Sequence, residues 1–126
     1  MSEQNEFNIH EFQEKVLKAV EVISYSEKLT SDIIQPQSTD GFEKSKQEVE
    51  EALKSKDIKK RICPALKSVT DEASNIANAI TPVLVGAVLG GTLVIPLNPI
   101  FFGWMAVVIA KAGAAALCAD YDSKEN

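Results

Sequence analysis

Charge is what the C-terminal third of this chain lacks: among the forty-one residues from Ala79 to Ala119, Lys111 is the only charged side chain. Other scarcities narrow the function. There is one histidine, His10, and it sits on the flank of the first amphipathic segment with no cysteine in local spacing, so neither a Cys–His nucleophile nor a histidine-based metal cluster is expected. The two cysteines, Cys63 and Cys118, stand far apart without a metal-ligand spacing or a disulfide framework, and read as buried or lipid-facing small residues. Gly90–Gly91 has neither the lysine nor the strand context of a phosphate loop. The acidic pairs Glu50–Glu51 and Asp71–Glu72 read as solvated helix surface. A non-enzymatic protein without cofactor or metal is therefore expected. The N-terminal stretch MSEQNEFNIHEF has neither the basic n-region nor the apolar h-region of a secretory signal, which predicts a cytoplasmic start.

The net charge of −5 hides an uneven distribution. Residues 1–53 hold twelve acids and five bases; residues 54–67 hold six bases and one acid; residues 68–126 hold five acids and two bases. An acidic chain with eight aromatics lacks the basic face that nucleic acid requires. The exception is the short block Lys54, Lys56, Lys59, Lys60, Arg61 and Lys67, which reads either as a solvated turn between helices or as a contact for anionic lipid headgroups.

Hydrophobic periodicity predicts an all-α protein in which amphipathic N-terminal helices precede an apolar C-terminal helical hairpin. Phe12, Val16, Ala19, Val20, Ile23 and Leu29 or Thr30 share one face of a helix expected from Ile9 to Ile34, stopped by the turn-forming segment QPQSTDG. A second helix is expected from an Asp40 N-cap to Ser55, with a thin stripe of Phe42, Val49, Ala52 and Leu53. A connection over Asp57–Cys63 should follow, and Pro64 should open a third helix. There, Leu66, Val69, Ala73, Ile76, Ile80 and Val83 form a seam that runs without a turn into the apolar segment.

That segment divides at PLNP, residues 96–99, into limbs Ala79–Ile95 and Ile100–Ala119. As helices they would be roughly 26 and 30 Å long, enough for a bilayer core of about 30 Å. The Ile, Val and Leu residues of the first limb contribute roughly 4 kcal/mol to insertion. The second limb contributes roughly 3, of which Lys111 takes back about 2.5–3.5 kcal/mol. Phe101, Phe102 and Trp104 beside the turn, and Tyr121 past the far end, would sit at the two membrane interfaces. The competing solution is a soluble bundle in which the same hairpin is the core.

Within the hairpin, Gly86 and Gly90 form a GxxxG, and Ala106, Ala110 and Ala114 form a small-residue row on the second limb. Such rows let helix backbones approach closely, either between the limbs or between copies in a homo-oligomer. Lys111 is the candidate pore-lining or buried charge. The layout resembles that of pore-forming colicin domains, in which a hydrophobic hairpin is stored among amphipathic helices; the resemblance is one of architecture and implies a membrane-active effector.

The resulting expectation is an acidic helical region (residues 1–78), a membrane-spanning hairpin (79–119) and a polar tail (120–126). Lipid is the first partner and both termini are cytoplasmic. The N-terminal helices offer themselves to a protein partner, and nucleic acid is excluded. The alternative is an adaptor- or immunity-type interaction module, cytoplasmic or membrane-tethered, with the hairpin as its buried core.

Overall fold

Periodic apolar side chains on three amphipathic helices need something to bury against, and the apolar segment that follows them supplies it. The computed structural model describes the backbone of residues 7–32 and 40–119 and the side chains of 7–26 and 44–119. The described residues form helices α1 (Ile9–Asp32), α2 (Asp40–Ala52), α3 (Lys56–Leu66), α4 (Ala73–Leu89), α5 (Pro99–Ala112) and the single turn α6 (Ala114–Leu117). The chain is all-α, as its periodicity requires.

Helix α5 is the centre. Phe101 through Val107 and Ile109 are all buried, because α1, α2 and α4 pack around it. α1 presents Phe12, Val16, Ala19, Val20 and Ile23, each at most 6% exposed. α2 contributes Val49 and Leu53; its thin stripe suffices because α5 is apolar all round. Phe12 meets Phe102 edge to face at 5.0 Å, and Lys46 holds its ammonium 5.6 Å from the centre of the Trp104 ring.

α1 and α5 cross closely at Gly103. A Cβ added to Gly103 would lie 2.8 Å from Ala19 Cβ and 3.2 Å from Ile23 Cδ1, so the absent side chain is what lets these backbones approach.

Helix α3 occupies the stretch expected to be a connection. Ser55 caps it, its hydroxyl accepting from the Ile58 amide at 3.4 Å. Ile58, Ile62 and Leu66, spaced by four, are buried together with Cys63 where α3 packs on α4. Pro64 lies inside this helix, near its end, and does not open a new one. The seam expected to continue through residue 70 breaks there: α3 ends at Leu66 and α4 starts at Ala73, and the Asn75 side-chain amide donates to Thr70 Oγ1 at 2.8 Å and to Glu72 Oε1 at 3.1 Å at the break.

The membrane-spanning hairpin is overturned. Among the described residues no helix is long and apolar enough to cross a membrane, and the membrane localisation expected for the chain falls with it. The reason is local backbone chemistry. α4 stops at Leu89 in a Schellman ending: Gly91 takes φ +80°, its amide donates to Val88 O at 3.0 Å, and the Thr92 amide donates to Ala87 O at 3.0 Å. α5 stops at Ala112, before Gly113 at φ +89°. The apolar part of α4, Ala79–Leu89, therefore measures roughly 16 Å and α5 roughly 21 Å, against a bilayer core of about 30 Å.

Candidate interaction surface

α4 is half sunk. Ile76, Ala77, Ile80, Thr81, Leu84, Val85 and Ala87 face the core. The opposite half carries Asn75, Asn78, Pro82, Val83, Gly86 and Leu89, all exposed, with Ala79 half-buried between them. None of these outward residues is charged, which is unusual for a surface helix. Leu89 is 58% exposed, and Val94, in the loop leaving the helix, is 96% exposed. The chain carries no charge from Ala73 to Ala110, so the surface continues uncharged through Gly90, Gly91, Thr92 and Pro96.

Two bonds fix this face to the rest of the molecule. Pro82 has no amide hydrogen, so the Asn78 carbonyl loses its helical donor. The Gln13 side-chain amide on α1 reaches it at 3.4 Å and also donates to Asn78 Oδ1 at 2.8 Å. Just before α4, Asp71 Oδ1 accepts from the Ala114 amide at 3.1 Å, and Cys63 on α3 is joined to Cys118 by a disulfide with Cα atoms 5.8 Å apart. The cysteines are thus neither free nor lipid-facing: the path through α4, α5 and α6 returns Cys118 to α3.

The residues singled out in the sequence divide between core and surface. Phe101, Phe102 and Trp104 are buried, at 3%, 0% and 3% exposure, and so cannot stand at a membrane interface. Tyr121 lies outside the described residues, as do the segment 35–39, the tail 120–126 and the side chains of Leu29, Thr30 and Phe42. Ala106 is fully buried, while Ala110 and Ala114 are half-buried against the core. Gly86 and Gly90 are exposed, so the small residues of the two limbs do not meet. Lys111 is exposed in the last turn of α5, where a cation complements the carbonyl end of the helix.

Lys56, Lys60 and Lys67 are exposed, Lys59 and Arg61 are half-buried, and Lys54 pairs with Glu51 at 3.6 Å. They make α3 and its ends a basic flank in which Asp57 is the one acid. The outer face of α1 mixes Glu11, Glu14 and Glu21 with Lys15 and Lys18, so it offers no patch of one sign. Among the described residues no group of three His, Cys, Asp or Glu side chains could hold a metal ion.

Sequence reasoning missed the exposure of Val94 and the close approach at Gly103. The first depends on where a loop travels. The second was legible only as one more glycine in an apolar helix. No protein-family model, no curated protein and no solved structure matches this chain.

Proposed function

We propose that the chain is a non-enzymatic helical interaction module, of the adaptor or immunity type, that uses the uncharged outer face of α4 and the loop after it to bind protein. The observation that carries this reading is the exposure of Leu89 and Val94, at 58% and 96%, within a run of residues, 73–110, that carries no charge. Contiguous apolar surface rimmed by polar residues is the usual mark of a protein contact. The buried hairpin supplies the rigid support such a surface needs, because α5 is packed by three helices and α4 is held to it.

The Cys63–Cys118 disulfide adds a second element. Such bonds persist where thiols are oxidised and are rare in reducing compartments, so the module is proposed to work in an oxidising one. The test is a photo-crosslinking residue at Leu89 or Val94, with Glu14 on α1 as control, in cells that make the protein. A discrete protein adduct from the first two positions and not from Glu14 is expected. Equal labelling from all three positions, or none, overturns the reading.

A further inference from the structure

We propose that the lysine row of α3 is paired with the acidic segment that follows Cys118, so that this basic flank is covered by the chain itself. The proposal is independent of the reading of α4 and concerns a different surface.

The row is the first observation. Lys56, Lys60, Cys63 and Lys67 are spaced by four, three and four, which sets them along one side of a helix, with Lys59 next to Lys60. Lys56, Lys60 and Lys67 are exposed and Lys59 is half-buried. Among the described residues none of these four lysines forms an ion pair, whereas Lys54, just before the helix, pairs with Glu51 at 3.6 Å. Asp57, the one acid of α3, stands outside the spacing. Four neighbouring cations without an anion repel one another, in a chain whose net charge of −5 leaves acids to spare.

Position is the second. Cys63 is itself a member of the row, and its disulfide partner Cys118 stands 5.8 Å away, Cα to Cα. The chain therefore leaves α6 from the middle of the lysines. The bond from the Ala114 amide to Asp71 Oδ1, at 3.1 Å, fixes the approach to that point.

Charge and length are the third. Residues 119–125 read ADYDSKE, three acids and one base. Fully extended they reach roughly 23 Å, against roughly 16 Å for the helix from Lys56 to Lys67, so their acids meet the row whichever way they run along it. The disulfide makes the encounter intramolecular, at an effective concentration on the order of millimolar. Surface ion pairs too weak to hold a free peptide suffice under that condition. An anion from outside has to displace these acids first, so in the oxidised protein the basic block is neither a bare solvated turn nor an open contact for lipid headgroups.

The experiment is zero-length carbodiimide coupling of the oxidised full chain at low protein concentration, read by peptide mass spectrometry. The reagent joins a lysine amine directly to a carboxylate in contact with it, and the Lys54–Glu51 pair is the internal standard. Links within one molecule from Asp120, Asp122 or Glu125 to Lys56, Lys59, Lys60 or Lys67 are expected. Their yield should fall several-fold at about 1 M sodium chloride, where charges are screened beyond about 3 Å. Links from these acids to Lys111 or to the lysines of α1 instead, links that join two molecules, or no links where Lys54–Glu51 forms, overturn the proposal. Links whose yield salt leaves unchanged report nearness imposed by the disulfide alone, and they overturn the pairing as well.

Discussion

The Gln13 side-chain amide on α1 donates to both oxygens that Asn78 offers on α4, at 2.8 Å to the side chain and 3.4 Å to the backbone. The second bond exists because Pro82 cannot donate to that carbonyl. Gln13→Ala should therefore destabilise the fold by about 1 kcal/mol, since these bonds lie near the surface. In a Pro82→Ala background the new amide takes the Asn78 carbonyl, and the Gln13→Ala loss should shrink. Urea denaturation of the four proteins in this cycle measures the coupling. Equal losses in both backgrounds would show that Gln13 does not serve the proline.

The core of α1 was legible in the sequence for a simple reason. Phe12, Val16, Ala19, Val20 and Ile23 follow the helical period, and all five are buried. Other elements were obscured by residues with two meanings. Pro64 suits a helix start, yet here it stands near the end of α3, whose Ile58, Ile62 and Leu66 bury against α4. The glycines near residue 90 read as packing surfaces within one long helix; Gly91 instead takes φ +80° and ends it. The hairpin was thus recognised as apolar but drawn too long. A fully buried helix and a spanning one share composition, so length decides between them. The disulfide was beyond reach, because pairing depends on how α4 to α6 turn back toward α3 and not on spacing.

Gly103 and Gly86 should respond oppositely to alanine. At Gly103 the new Cβ would sit 2.8 Å from Ala19 Cβ, so Gly103→Ala should cost about 1–3 kcal/mol through overpacking, and more if the α1 backbone must move. At Gly86 the space is open, so Gly86→Ala should raise monomer stability by roughly 0.5–1 kcal/mol through helix propensity. Thermal melts read both effects. A neutral Gly103→Ala would contradict the close crossing of α1 and α5.

Thr81 is fully buried in α4, and its hydroxyl finds no hydrogen-bond partner among the described residues. A buried polar group left unsatisfied costs about 1–3 kcal/mol. Thr81→Val keeps the branched shape and removes the hydroxyl, so it should stabilise the protein by about 1 kcal/mol. Thr81→Ser keeps the hydroxyl and deletes a methyl from the core, so it should destabilise by a similar amount. The two midpoints in urea moving in the same direction would show that the hydroxyl is satisfied by the helix backbone.

The Cys63–Cys118 bond closes a chain separation of 55 residues. By the chain-entropy relation, a loop of that length constrains the unfolded state by about 4 kcal/mol. The double variant Cys63→Ser, Cys118→Ser should lose stability of that order, and dithiothreitol should lower the wild-type melting temperature without affecting the variant. The same bond carries the proposal about compartment. Cys63 is 2% and Cys118 6% exposed, so a reductant reaches them only after the fold opens, and the redox state met during folding should be retained. Trapping free thiols with N-ethylmaleimide in denaturant at the moment of cell lysis, so that buried thiols are reached, reports that state. Full protection from alkylation places the working protein in an oxidising compartment; two alkylated cysteines would place it in a reducing one and leave the fold to stand on its helical core alone.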